Sequence, residues 1–150
     1  MAEGILRSLF PPAVADRLQV RSAGTGATGG LPATALALET TAARGIDIRG
    51  HRSTELTPAL LRESDLVLAM EPGQAVRARE LAPEKAARIH VITERSAEAG
   101  DAADAPGAGV RDPIGGAAAD YDDTFNRIRS HLLRWLPSIL EEVERREGVR

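Results

Sequence analysis

The chain has 150 residues, 43% hydrophobic and 27% charged, with a net charge of −3. That is the size and composition of one globular domain with a sizeable core, and so weak a charge gives no reason to invoke nucleic acid or an anionic membrane as partner. The absence of cysteine excludes disulfides, thiolate metal sites and a cysteine nucleophile within these residues.

Taken in chain order, Ala2 to Phe10 reads as a short helix stopped by Pro11 and Pro12, with Ile5, Leu6 and Leu9 on its buried face. Leu18 to Ser22 alternates like a strand, and Ala23 to Pro32 is a glycine-rich loop. Ala33 to Arg44 has helical spacing, with Gly45 at its C-terminal cap. Leu56 to Glu63 predicts another short helix, with Thr57 as N-cap before Pro58. The apolar run Leu66 to Met70, bounded by Asp65 and Pro72, predicts a strand buried on both faces. Gly73 to Leu81 is a further helix, Arg88 to Ile92 another short strand, and Arg95 to Gly109 a loop rich in Ala, Gly, Asp and Pro. Tyr121 to Glu147 predicts one long helix. Its apolar positions Phe125, Ile128, Leu132, Trp135, Leu136, Ile139 and Val143 recur every three or four residues, and Pro137 is a place for a kink.

Strands alternating with helices predict a single α/β domain over residues 1–150, with a parallel sheet covered on both faces. No apolar stretch approaches the roughly 20 residues needed to span a membrane. No basic start precedes an apolar run, so the expected address is the cytoplasm.

Three motifs invite a chemical reading. Gly24-Thr25-Gly26-Ala27-Thr28-Gly29 fits G-x-G-x-x-G after a strand and before a helix. Gly30, Leu31 and Pro32 intervene, however, so a phosphate on this loop would miss the helix N-terminus. No strand ending in an acidic residue follows about 20 residues on. A surface loop is the better reading, and no cofactor is expected. Asp112-Pro113-Ile114-Gly115-Gly116 is a tight turn that can hold a carboxyl group rigidly over a site, or simply cap the last helix. His51, His90 and His131 show no metal-ligand spacing, so no metal is expected. His90 is expected on a strand facing polar surroundings and His131 on the exposed side of its helix. His51, in a loop after Gly50, can orient other loops, and Ser22 reads as a strand-end hydroxyl.

Together these pieces resemble the low-molecular-weight protein-tyrosine phosphatase family. The resemblance runs in order through MAEGILR at the start, SAGTGATGG from Ser22, RGIDIRGHRSTELT from Arg44, SDLVLAMEPGQ from Ser64, and RDPIGG from Arg111 into DYDDTFNRI. It implies a three-layer α/β domain with a four-stranded, flavodoxin-like parallel sheet of order 2-1-3-4. In the family, a first strand leads into a phosphate loop of form C-x5-R-S/T and then into the helix that here begins at Met1. The resemblance thus implies that the central first strand and the loop are missing from this chain. Two explanations follow: a start assigned too late, which is favoured, or a decayed relative. Without the central strand, Leu18–Ser22 and Leu66–Met70 would leave backbone groups unpaired, each costing about 1–3 kcal/mol, so a stable monomer is not expected.

The chemistry implied is phosphomonoester hydrolysis through a cysteinyl-phosphate. Backbone N–H groups and an arginine of the loop hold the phosphoryl group, and an aspartate protonates the leaving oxygen and later helps activate water. By resemblance Asp112 is that general acid and base, and Ser22 and His51 brace the phosphate loop. Thr28, Pro113 and Ile114 form the substrate pocket wall, and the nucleophile has no counterpart in these residues. The expected partners are phosphorylated proteins or small phosphomonoesters, and the chain as given is expected to be inactive. The family often carries aromatic residues after the D-P pair, where Ile114 and Gly115 stand here, and a large side chain near Thr28. A protein-arginine phosphatase of the same family is therefore an alternative reading, and a non-catalytic phosphoprotein-binding pseudophosphatase is another. Thioredoxin-coupled arsenate reduction needs further cysteines that these residues lack.

Overall fold

The computed structural model describes residues 1–95, 105 and 107–147. In chain order the helices are α1 (Ala2–Leu9), α2 (Pro12–Ala15), α3 (Ala35–Ala42), α4 (Pro58–Glu63), α5 (Pro72–Leu81) and α6 (Ala118–Glu147). Strand β1 (Val67–Ala69) precedes α5, and β2 (Ile89–Val91) lies between two 3-10 turns, Pro83–Arg88 and Ile92–Arg95. The strands pair in parallel, Val67 with Ile89, Leu68 with His90 and Ala69 with Val91. With α5 as the connection they form a βαβ unit.

Side chains alternate across a strand, so a doubly buried strand needs a partner layer on each face. Leu66, Leu68 and Met70 pack on a cluster of Ile5 from α1, Ile92, Val110, and Phe125, Ile128, Leu132 and Trp135 from α6. Val67, Ala69, Ile89 and Val91 pack on the other face against Leu61 of α4 and against Ala75, Ala78 and Ala82 in and after α5. Three alanines let α5 lie close to the sheet. A third cluster joins Ala37 of α3 and Ile48 to Tyr121 of α6.

Helix boundaries follow local chemistry. The Thr57 hydroxyl accepts the Leu60 N–H at 3.2 Å, with Pro58 opening α4. Thr34 caps α3 through the Ala37 N–H, and Gly45 beyond its end has φ +74°. Helix α6 starts three residues before the predicted Tyr121, because Asp120 accepts the Ala117 N–H at 2.7 Å and fastens the first turn. No helix among the described residues is long and apolar enough to cross a membrane.

Three expectations differ from the structure. Leu18 to Ser22 forms no strand, and the sheet among the described residues has two strands rather than four, or the three left by removing one. A period-two pattern marks which residues are apolar, but a strand exists only where a neighbour completes its ladder. Here the Val20 carbonyl accepts from the Arg7 guanidinium at 2.7 Å instead, and the nearest pairing is a single parallel bridge between Gly24 and Glu55. His131 is 1% exposed, not on the open side of α6. That helix packs against α1, α3 and the turn Ile92–Arg95, so its buried arc is wider than the apolar stripe alone shows. Most of the predicted loop Arg95 to Gly109 lies outside the described residues.

The chain re-enters the core at Gly109. Its φ is +85°, and a Cβ there would lie 2.6 Å from the Met70 carbonyl oxygen. The neighbouring Val110 N–H donates to that same carbonyl at 2.6 Å. Gly109→Ala therefore adds both strain and a backbone clash, and is expected to cost roughly 2 kcal/mol or more. Urea unfolding followed by the emission of the single tryptophan measures this, and an unchanged midpoint would contradict it.

Candidate active site

Two of the residues singled out in the sequence meet at a third that was not. Glu3, in the first turn of α1, has a side chain only 16% exposed. Its Oε2 accepts the Ser22 hydroxyl at 2.6 Å and lies 3.6 Å from Nδ1 of His51. Its Oε1 lies 2.9 Å from Nη2 of Arg7, one turn later on the helix. One carboxylate thus gathers a hydroxyl, an imidazole and a guanidinium from three separate segments. The spacing Glu3 to Arg7, i to i+4 in a short helix, was the available signal for it.

This junction forms part of the wall of a cavity of about 900 Å³, lined also by Gly4, Asp47 and Arg52. Hydrogen bonds from the Arg49 side chain first, and then from its backbone N–H, lower the Asp47 carboxyl to about 2. Arg52 donates to the carbonyls of Arg49 and His51, at 3.1 and 2.7 Å. The His51 N–H donates to the Ile48 carbonyl at 3.0 Å. The loop presenting His51 is therefore held by its own backbone and by charged groups at the cavity rim.

Asp112 stands elsewhere and is not among the residues lining that cavity. It is exposed, and its Oδ1 accepts the Ile114 N–H at 3.0 Å. The Gly116 N–H donates to the Pro113 carbonyl at 2.9 Å, and Gly115 has φ +82°. This closed turn holds the carboxyl rigidly, while Asp120, not Asp112, caps α6. The turn is rooted at the C-terminal ends of the strands. Val110 is bonded to Met70 just past β1, and the Gly109 N–H donates at 2.9 Å to Oγ1 of Thr93, just past β2. In α/β sheets that edge is where ligands bind. Ile114 is 68% exposed on the turn.

Thr28 is exposed in the glycine-rich loop, and its carbonyl accepts the Ser53 hydroxyl at 2.6 Å. The Gly30 N–H donates to the Ser53 carbonyl and the Ser53 N–H to the Leu31 carbonyl, both at 2.8 Å. Ser53 thus sews the loop to the 51–55 segment. Helix α3 begins at Ala35, well past Gly29, so the third glycine of the G-x-G-x-x-G pattern opens no helix. Among the described residues no three His, Asp or Glu side chains gather as metal ligands.

Removing Glu3 would leave the Ser22 hydroxyl without its acceptor and take from the Arg7 guanidinium its anionic partner, leaving it only the Val20 carbonyl. Glu3→Ala is expected to lower the unfolding free energy by about 1–3 kcal/mol, the usual cost of losing hydrogen bonds to a charged group in a part-buried site. Chemical denaturation measures it, and a neutral effect would show that the junction carries no stability.

The family model of the low molecular weight phosphotyrosine protein phosphatases matches residues 1–146. A probable low molecular weight protein-tyrosine-phosphatase, EpsP, of Ralstonia nicotianae is 31% identical over 139 residues, covering 93% of this chain and 86% of that protein. Among solved structures, a low molecular weight protein tyrosine phosphatase from T. tengcongensis is 29% identical with a TM-score of 0.74, covering 91% of this chain and 88% of that one. A YwlE mutant from Bacillus subtilis is 28% identical with a TM-score of 0.74, covering 93% and 88%. A YwlE arginine phosphatase with a phosphorylated active-site serine is 28% identical with a TM-score of 0.76, covering 96% and 88%.

Proposed function

The chain belongs to the low molecular weight phosphotyrosine protein phosphatase family, and from that premise we propose that its residues are the acid–base and bracing parts of a cysteinyl-phosphate phosphatase. In this reading a cysteine thiolate attacks phosphorus while Asp112 gives its proton to the departing oxygen. Asp112, now a carboxylate, then takes a proton from the water that cleaves the phosphorus–sulfur bond and frees phosphate. Ser22 and His51 brace the phosphate loop through Glu3, and Thr28, Pro113 and Ile114 line the approach of the substrate. The substrates are phosphoproteins or small phosphomonoesters met in the cytoplasm. Residues 1–150 act as one domain, and in a fusion that supplies a first strand and a C-x5-R-S/T loop, that strand, Leu18–Ser22, β1 and β2 form a four-stranded sheet of order 2-1-3-4.

One observation supports this reading most. Ser22 and His51, assigned to bracing by their place in the sequence alone, converge on a single carboxylate at the wall of a cavity of about 900 Å³. A serine hydroxyl and a loop histidine with unrelated roles would have no reason to approach one carboxylate, the first as a hydrogen-bond donor at 2.6 Å and the second at 3.6 Å.

These 150 residues contain no cysteine, so by themselves they supply no thiolate and should not hydrolyse an aryl phosphate. Fused after a strand and a C-x5-R-S/T loop, the same residues should do so. Asp112→Ala in that fusion is expected to slow turnover about 10²–10⁴-fold, most for poor leaving groups. Steady-state rates across a series of aryl phosphates make the test. Hydrolysis by the 150-residue chain that depends on Asp112, or equal rates for the fusion and its Asp112→Ala variant, would overturn the reading.

The second reading, a protein-arginine phosphatase, is favoured by the turn itself. Ile114, not an aromatic residue, is the exposed apolar group after Pro113, and ring stacking on a phosphotyrosine, about 0.5–1.5 kcal/mol per pair, has no partner there. Matched phosphoarginine and phosphotyrosine peptides given to the fusion separate the two, with the higher kcat/KM naming the substrate class.

A further inference from the structure

On the α6 side of the sheet a set of charged groups meets the only tryptophan, outside the phosphatase junction. His90 is the β2 residue facing α6, and its ring centroid lies 5.0 Å from that of Trp135. Its Nδ1 is 2.7 Å from Oε2 of Glu94, in the turn Ile92–Arg95 that follows the strand. The other Glu94 oxygen accepts the Val91 N–H at 2.8 Å and lies 3.7 Å from Nη2 of Arg79, on α5. Arg79 also donates to the Ile89 carbonyl at 2.6 Å. The Arg95 guanidinium sits 4.4 Å above the Trp135 ring and bonds the Ser138 hydroxyl. The indole N–H of Trp135 donates to the Ile92 carbonyl at 2.8 Å. Both ends of the turn are thereby fastened, one to β2 through Glu94 and the other to α6 through Arg95 and Trp135.

We infer that His90 and Glu94 form a proton-sensitive latch on the turn Ile92–Arg95, closed most firmly when the imidazole is charged. A charge-assisted hydrogen bond is about twice as strong as a neutral one, and histidine is the side chain whose charge changes between about pH 5 and 8. His90 and Glu94 are about one-third exposed, 32% and 34%, so solvent protons reach them while the pair stays partly shielded. With an uncharged imidazole the pair keeps only a neutral hydrogen bond. Lowering the pH far enough protonates Glu94. Burial raises the Glu94 carboxyl, but the Val91 N–H, His90 and Arg79 together outweigh it and hold it below the ordinary range. The acid edge of the latch therefore lies below that of a free glutamate.

The other charges around the pair come from each neighbouring element. Arg79 on α5 and Arg95 on the turn oppose a second positive charge, and Glu94 opposes them from contact distance. On α6, Glu142 pairs with Arg88 at 3.9 Å, and His131 lies buried one turn before Trp135 with Arg134 at 3.3 Å. The turn matters beyond itself because Thr93 within it, fully buried, receives the Gly109 N–H and so anchors the segment that leads to Asp112.

Trp135 reports the latch directly, since a charged imidazole beside an indole quenches its emission. Emission of the 150-residue chain is expected to rise as the pH is raised and an imidazole beside the indole loses its charge. His90→Gln should remove the transition, and Glu94→Gln should move its midpoint down by about 0.5–1 pH unit. Independently, amide protection of Ile92–Arg95, corrected for intrinsic exchange, should fall about two- to fivefold from pH 6 to 8 in the unmodified chain and stay flat in Glu94→Gln. The inference is overturned if the transition survives in His90→Gln, which would assign it to His131. It is also overturned if the midpoint or the fall in protection is unchanged in Glu94→Gln, a variant that keeps the shape of the side chain and so tests the charge alone.

Discussion

The burial of two short parallel strands on both faces is the constraint on which the rest of this molecule depends. Because side chains alternate, Leu66, Leu68 and Met70 demand an apolar layer on one side, and Val67, Ala69, Ile89 and Val91 demand one on the other. Helices α1 and α6 supply the first and α4 and α5 the second. The segments following the strands are then fixed by what they must pair with at that edge. Met70 takes the Val110 N–H and Thr93 takes the Gly109 N–H, so the turn carrying Asp112 is rooted in the sheet although its tip is exposed. Position at the carboxyl edge follows from packing, and the chemistry proposed for Asp112 is laid upon it.

The parts of the fold that local chemistry decides were legible in the sequence. Thr57 before Pro58 opens a helix because hydroxyl and ring act within four residues. The run Leu66 to Met70 announces double burial, and the stripe from Phe125 onward announces a long amphipathic helix. What failed was decided by distant partners. Leu18 to Ser22 carries a strand pattern with no ladder to join, and Arg7 satisfies the Val20 carbonyl instead. His131 stands three residues after Ile128 and four before Trp135, at the flank of the stripe, and α1, α3 and the turn after β2 enclose α6 there and bury it although it is polar. A period alone gives neither the missing ladder nor how wide an arc of a helix its neighbours cover.

The site divides in the same way. Ser22 and His51 were visible only through their places in an ordered resemblance, since a serine at the end of a run and a histidine after a glycine carry no signal of their own. Glu3, which joins them, looked like an ordinary first-turn acid on a helix. Its role arises from three segments meeting in space. Asp112 was legible for a local reason: proline and two glycines prescribe a tight turn around it, and the turn is there. Of the cluster of His90, Glu94, Arg95 and Trp135, the sequence marks His90 as strand, Trp135 as core and Arg95 as the start of a loop, and its charge only becomes apparent once β2 and α6 are packed together.

In the function proposed above, these 150 residues carry the acid and the bracing of a phosphatase but not its phosphate cradle, which needs the N–H groups and arginine of a C-x5-R-S/T loop. Calorimetric titration of the 150-residue chain with orthophosphate is the sharpest test. No saturable heat is expected at millimolar phosphate. Saturable binding that is lost in Ser22→Ala or His51→Ala would contradict that expectation, because the junction at Glu3 would then be holding phosphate itself.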